Sequence, residues 1–75
     1  MQELLELLKE TLPNVNWETD ADLVDDGLLD SIGIITVISE ITEEYDIKIT
    51  TDEMKAENFN SVQAIYEMIQ RLQDE

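Results

Sequence analysis

The 75-residue sequence contains no cysteine and no histidine, one proline and two glycines. Without cysteine the chain cannot form disulfides, thiolate metal sites or a cysteine nucleophile. Without histidine it lacks the commonest metal ligand and the general base of Ser-His-Asp hydrolases. These absences exclude most conventional catalytic machinery. The length predicts a single domain over residues 1–75, near the lower size limit for folding without disulfides or metals.

Basic residues are also scarce, because 4 Lys and Arg stand against 19 Asp and Glu, a formal net charge of −15. Nucleic acid and anionic lipid are bound through Lys and Arg, so neither is an expected partner. Partners with basic surfaces are favoured instead. A hydrophobic content of 43% is normal for a globular protein. No apolar run approaches the roughly 20 residues that span a bilayer, and no basic signal-peptide start is present. We therefore expect a cytoplasmic protein without membrane insertion.

Apolar periodicity predicts two long helices in the first 45 residues. Residues 2–12 place leucines on one helical face, and Pro13 ends this helix because proline cannot continue the hydrogen-bond ladder. Residues 31–45 are rich in β-branched side chains, which favour a strand, but their length and spacing favour a helix. The 18-residue connection between the two helices has no period. It carries scattered apolar side chains that we expect to pack onto the core: Val15, Trp17, Leu23, Val24, Leu28 and Leu29.

The second half of the chain predicts one short and one long helix. An extended piece is expected at 45–50, followed by one or two helical turns at 52–57 capped by Thr51 or Asp52. The last helix begins at Asn60, where Gln63 completes the capping-box spacing. The fold class is therefore all-α, a small four-helix bundle of three longer helices and one short one with a long first loop. Five isoleucines are assigned to its core: Ile34, Ile38, Ile41, Ile65 and Ile69.

The acidic first loop does not match a calcium site. With Gly27 at the sixth place of an EF-hand loop, Asp22 and Asp26 would hold the first and fifth places. Val24 would then stand at the third place and Gly33 at the twelfth, where a bidentate glutamate is required. No dedicated metal site is expected.

Asp30 and Ser31 stand at the start of the second helix, just after Gly27 provides a turn. A purely structural explanation accounts for their positions: one of the two residues is the helix N-cap, a position that favours Asp and Ser. Ser31 cannot be a conventional serine nucleophile, because the chain has no imidazole to activate it.

The sequence Asp30-Ser31-Ile32 resembles the phosphopantetheine attachment site of acyl carrier proteins. It follows an acidic, glycine-bearing loop and precedes an apolar and acidic helix, as in that family. The resemblance extends over nearly the whole chain. Its other parts are the leucine-rich first helix and segments 21–26, 43–47 and 60–65.

Three departures refine the resemblance. Ile32 stands where leucine is usual, and Gly33 stands where fatty-acid carriers often place an acid. Leu28 occupies the place, three before the serine, where fatty-acid carriers typically have glycine. The form Asp-Gly-Leu-Leu-Asp-Ser at 26–31 is more similar to D-alanyl carriers and to stand-alone carriers of specialised pathways.

The resemblance implies a carrier rather than an enzyme. Ser31 would accept 4′-phosphopantetheine from a phosphopantetheinyl transferase, and the thiol would carry acyl or aminoacyl groups as thioesters between loading and processing enzymes. A chain without cysteine needs such an imported thiol, and a helix start favours the phosphodiester anion. Asp30 would recruit the transferase or a cation, and the carrier would be a monomer. The residues implied in docking to basic partner surfaces are Ile32, Glu40, Glu43, Glu44 and Met54.

An alternative remains open on charge alone. The chain could be an acidic helical protein-binding module with no prosthetic group. Each docking residue also has an ordinary explanation, with Ile32 and Met54 as core residues and the glutamates as a solvated face. An enzyme acting through paired carboxylates is disfavoured, because the sequence gives no sign of a cleft.

Overall fold

The computed structural model describes residues 2–18, 22–27 and 29–74. In these residues the chain forms four α-helices and no strand: α1 (Gln2–Thr11), α2 (Ser31–Tyr45), α3 (Ala56–Phe59) and α4 (Val62–Gln73). One 3-10 turn, Thr51–Glu53, lies between α2 and α3. The all-α prediction of three longer helices and one short one is confirmed. None of the helices described combines the length and apolar content needed to cross a bilayer.

One apolar core joins all four helices and the first loop. Its buried members are Leu4, Leu8, Trp17, Leu23, Leu29, Val37, Ile41, Ile47, Phe59, Val62, Ile65, Met68 and Ile69. Each such side chain contributes about 1.5–3 kcal/mol when fully buried. Among the described residues no polar or charged side chain is buried, so the acidic charge lies on the surface around this core.

The first loop packs onto the core as predicted. Trp17, Leu23 and Leu29 are buried, and Val15 and Val24 pack against the core in part. Leu28 lies outside the described residues. The indole Nε1 of Trp17 donates a hydrogen bond to the backbone carbonyl of Leu12, just after α1, at 3.0 Å. This bond satisfies the polar atom of an otherwise buried ring. The long connection is therefore an ordered part of the fold wherever it is described.

The buried stripe of α2 differs from the predicted one. The sequence predicted Ile34, Ile38 and Ile41, but the buried line is Gly33, Val37 and Ile41. Ile34 and Ile38 are only partly buried beside it, so the core assignment of these two is correct only in part. The buried line shifts because Gly33 has no side chain, which allows the first turn of α2 to pack closely against Leu29 and Leu12.

The segment after α2 contains the 3-10 turn at Thr51–Glu53 and the short helix α3 at Ala56–Phe59, where the sequence predicts one or two helical turns at 52–57. The helix ends at Asp46, which adopts the left-handed conformation (φ 52°). The 3-10 turn has Thr50 at its cap position, so the prediction of Thr51 or Asp52 as cap is wrong. No side-chain cap is made there, because backbone bonds close the turn themselves, Glu53 N–H to Thr50 carbonyl at 3.0 Å among them.

The N-cap of α4 is Ser61, not Asn60. The Ser61 hydroxyl accepts a hydrogen bond from the Ala64 amide at 3.1 Å. Because the third helical residue is then an alanine, it cannot bond back to the cap, and the predicted capping box with Gln63 is wrong. The Asn60 side chain instead faces the first loop, where its Oδ1 accepts hydrogen bonds from the amides of Val24 and Asp25.

Candidate functional site

Ser31 is the first residue of α2 and is exposed to solvent. Asp30 is the N-cap, and its Oδ1 accepts a hydrogen bond from the Gly33 amide at 2.8 Å. The Asp30 carbonyl accepts from the Ile34 amide at 2.8 Å. Since Asp30 does the capping, the Ser31 hydroxyl is not needed for it, and within the described chain that hydroxyl has no hydrogen-bond partner.

The start of α2 is suited to hold a phosphodiester. The first turn contains no acidic residue. The amides of Ser31 and Ile32 have no acceptor among the residues described here, since the cap occupies only the next two amides. Free amides and the positive end of the helix dipole both favour an anion. An exposed, unpartnered hydroxyl beside these amides therefore fits 4′-phosphopantetheine.

The loop that leads to Ser31 is held by a compact turn. The Gly27 amide donates to the Val24 carbonyl at 3.1 Å, and the Leu29 amide donates to the Leu23 carbonyl at 2.9 Å. Gly27 has a φ of +79°, a conformation that side-chain-bearing residues rarely adopt. The turn brings the buried Leu29 under the first turn of α2.

Gly33 is a packing residue that sequence reasoning missed. A Cβ atom there would lie 2.9 Å from Leu29 Cδ1 and 3.3 Å from Asp30 Oδ1. The glycine therefore allows both the leucine below and the capping carboxylate to approach the helix. The available signal was a glycine in the first turn of an otherwise apolar helix, which usually has a packing or functional reason.

The outer face of α2 is apolar in its first half. Ile32 is 75% exposed and Ile35 is 58% exposed. Met54, after the 3-10 turn, is 43% exposed. The alternative explanation of Ile32 and Met54 as core residues is therefore wrong. Ile35 was not predicted as a site residue, although its position three residues after Ile32 puts it on a neighbouring part of the helix surface.

The outer face of α2 is acidic in its second half. Glu40, Glu43 and Glu44 are exposed and line one shallow depression. None of them takes part in an ion pair within the described residues. The pKa of the nearby Tyr45 is raised, first by burial and then by the charges of Glu3 and Glu44. This end of the helix therefore carries a local negative potential.

The acidic side chains of the described residues do not form a metal site. Across residues 2–18, 22–27 and 29–74, no group of three or more acidic side chains is arranged to hold a metal ion.

Comparison with known proteins is consistent with this geometry. A family model described as "Phosphopantetheine attachment site" matches residues 2–69. The D-alanyl carrier protein of Streptococcus sanguinis (strain SK36) is 30% identical over 73 residues, 96% of this chain and 92% of that protein. The D-alanyl carrier protein of Streptococcus uberis (strain ATCC BAA-854 / 0140J) is 38% identical over 55 residues, 73% of this chain and 70% of that protein. No solved structure gives a significant match.

Proposed function

Because this chain belongs to the family of carrier proteins with a phosphopantetheine attachment site, we propose that Ser31 receives the prosthetic group. The protein is a carrier that bears covalent 4′-phosphopantetheine, and the acidic binding module without a prosthetic group is not favoured. The group supplies a terminal thiol that holds acyl or aminoacyl groups as thioesters. The chain has no cysteine, so that thiol has no competitor within the protein.

One observation carries the choice of Ser31: at the first position of a capped helix its hydroxyl is exposed and has no hydrogen-bond partner among the described residues. Ser61, by contrast, uses its hydroxyl to cap α4. We propose that a phosphopantetheinyl transferase recognises the exposed serine as its substrate. We expect the transferase to supply the base that removes the hydroxyl proton, because this chain has no histidine.

Asp30 has a second proposed role beside its capping. Its carboxylate stands next to the attachment residue, where it would help to recruit the transferase or a cation bound by it. Capping uses Oδ1, and a carboxylate can accept further hydrogen bonds or ligate a cation through its other oxygen. The two roles are therefore compatible.

The proposed docking surface is the outer face of α2, with Met54 at its border. Ile32 and Ile35 provide exposed apolar contact next to Ser31. Glu40, Glu43 and Glu44 provide the charge that steers loading and processing enzymes with basic surfaces into contact. Such steering gives fast, salt-sensitive encounters, which suit a carrier that visits several enzymes.

The proposed cargo is an aminoacyl group, D-alanine in the first instance. Two observations support it: the matched relatives are D-alanyl carrier proteins, and residues 26–31 have the Asp-Gly-Leu-Leu-Asp-Ser form. The holo-chain should gain the mass of one D-alanyl group when incubated with ATP and a D-alanine-activating ligase. Equal loading with acetate, or no loading with D-alanine, would contradict this cargo.

We propose that the carrier is a monomer in the cytoplasm. A carrier thiol must stay reduced to accept its cargo, and the cytosol keeps thiols reduced. A monomer leaves the outer face of α2 open to partners. Light scattering of the holo-chain should give the mass of one chain, and a stable dimer would contradict the monomer.

The attachment residue is tested with coenzyme A and a promiscuous phosphopantetheinyl transferase, followed by intact-mass measurement. We expect the wild-type chain to gain one phosphopantetheine and Ser31→Ala to gain none. Ser39→Ala is the matched control, because Ser39 is also an exposed serine of α2, and it should be modified like the wild type. Modification that survives Ser31→Ala would overturn the proposal.

A further inference from the structure

Asn60 connects the start of α4 to the loop that precedes Ser31. Its side-chain Oδ1 accepts hydrogen bonds from two loop amides, those of Val24 at 2.9 Å and Asp25 at 3.1 Å. Its Nδ2 donates to Asp25 Oδ2 at 3.2 Å. Its backbone carbonyl accepts from the Leu23 amide at 2.9 Å. One residue thus holds three consecutive loop residues through four hydrogen bonds.

These contacts lead to the attachment residue through a short chain of interactions. Leu23, held by Asn60, accepts the Leu29 amide at its own carbonyl at 2.9 Å. Leu29 packs beneath Gly33, the residue whose amide is bonded to the Asp30 cap. The loop and the first turn of α2 are therefore one connected unit, with Asn60 at the end remote from Ser31.

We propose that Asn60 is a positioning residue for Ser31, and this inference rests on the proposed function of Ser31. By fixing 23–25, Asn60 keeps Leu29 and the Asp30 cap in the arrangement that a transferase must recognise. When only part of a population is in the recognised arrangement, apparent affinity falls by that fraction. Loss of the Asn60 contacts therefore acts on KM for the carrier more than on kcat.

The first test compares Asn60→Ala with Ser61→Ala. Both variants remove side-chain hydrogen bonds near the start of α4: Asn60→Ala removes three to the first loop, and Ser61→Ala removes one to the α4 amide of Ala64. Asn60→Ala should raise KM for phosphopantetheine transfer by at least about five-fold, the change that loss of a single hydrogen bond would give, with little change in kcat. Ser61→Ala should lower the melting temperature and leave KM unchanged. Equal KM values for the two variants would overturn the proposal.

The second test exchanges the side chains of the hydrogen-bonded pair Asn60 and Asp25. Asn60→Asp keeps an acceptor for the two loop amides but places a second carboxylate against Asp25 Oδ2, and it should raise KM because like charges repel. Asp25→Asn added to it restores a donor and an acceptor on the two side chains, and it should return KM to near the wild-type value. Asp25→Asn alone keeps an acceptor for Asn60 and should have little effect. A double variant no better than Asn60→Asp would contradict the positioning role.

Amide hydrogen exchange separates this inference from the proposed function, since it needs no transferase. Asn60→Ala should accelerate exchange at Val24 and Asp25, whose amides lose their acceptor, whereas Ser61→Ala should not. Unchanged exchange would overturn the role of Asn60 even if Ser31 is the attachment residue. If the wild-type chain is not modified at Ser31, the proposed function fails. The exchange rates still show whether Asn60 holds the loop.

Discussion

Helices α2 and α4 are both amphipathic elements of the same core, yet they distribute apolar residues differently. In α4 the large apolar side chains face inward, with Val62, Ile65, Met68 and Ile69 buried. In α2 the inward line of Gly33, Val37 and Ile41 is accompanied by two isoleucines on the outside. The large apolar side chains of α4 named here are used in packing, whereas α2 carries two isoleucines, Ile32 and Ile35, that packing does not use.

The two exposed isoleucines of α2 lie next to the residue that we propose as the attachment site. Ile32 and Ile35 are adjacent to Ser31 along the helix, and the acidic side chains follow in the next turns. Exposed apolar residues contribute little to folding, and clustered ones mark contact surfaces. We therefore interpret α4 as a helix built for stability and the outer face of α2 as a helix face built for partners.

The largest expected effect separates an inner isoleucine of α4 from an outer isoleucine of α2. Ile65→Ala leaves a cavity in the core and should lower the free energy of unfolding by about 2–5 kcal/mol. Ile32→Ala removes an exposed side chain and should change it by less than about 0.5 kcal/mol. Urea unfolding measures both. If Ile32→Ala destabilises as strongly as Ile65→Ala, the two helices do not differ as described.

The next effect concerns charge on the two helices. Changing Glu43 to lysine should slow association with a basic partner enzyme about two-fold at low salt, because steering is weakened. Glu67→Lys on the exposed side of α4 is the control. Stopped-flow binding at two salt concentrations measures the rates. A change of equal size in the control would show that net charge, not the face of α2, directs docking.

A smaller effect distinguishes two serines at helix starts. Ser61 caps α4, so Ser61→Ala should cost about 1 kcal/mol of stability. Ser31 does not cap α2, because Asp30 does, and Ser31→Ala should be within about 0.5 kcal/mol of the wild type. Thermal unfolding measures both. A clear loss of stability in Ser31→Ala would mean that its hydroxyl has a structural partner after all.

The smallest effect is the pH dependence of the ion pair that ties the 3-10 turn to α4. Glu53 accepts two hydrogen bonds from Arg71, at 2.8 and 2.6 Å. These bonds are the main reason that the pKa of Glu53 lies below its usual value. Because the pKa is lowered in the folded state, the stabilisation is present above the unfolded pKa and is lost as pH falls through the folded pKa.

Melting temperatures of the wild type and Arg71→Gln measure this contribution. The wild type should melt slightly higher at pH 7, and the difference should shrink as the pH is lowered through the folded pKa of Glu53. Lys48→Gln is the control, because Lys48 is exposed and forms no ion pair among the residues that the structure describes. A difference between wild type and Arg71→Gln that persists unchanged down to the lowest pH at which the protein folds would contradict the role of the Glu53 carboxylate.

Periodicity predicted the helices because packing requires the same spacing that the sequence displays. Residues 31–45 were predicted as a helix against their β-branched composition, and the bounds of α2 agree. The prediction of its buried line was less successful. A count of apolar residues does not include Gly33. Because Gly33 has no side chain, that side of α2 packs against the core, and Gly33, Val37 and Ile41 are its buried residues.

Side-chain hydrogen bonds between distant segments were not predictable from local spacing. Asn60 is well placed for a helix cap in the sequence, but its partners Val24 and Asp25 lie 36 and 35 residues away along the chain. Only the packing of α4 against the first loop brings them together. Ser31 could be singled out from its motif, but the free state of its hydroxyl depends on Asp30 taking the cap position, which spacing left open.

The most direct test of the account is the fragment-ion mass spectrum of the wild-type chain after treatment with coenzyme A and transferase. The account predicts the added mass on Ser31 alone. The added mass on Ser39, on Ser61 or on any threonine would contradict it, and so would the recovery of an unmodified chain from a transferase that modifies other carriers.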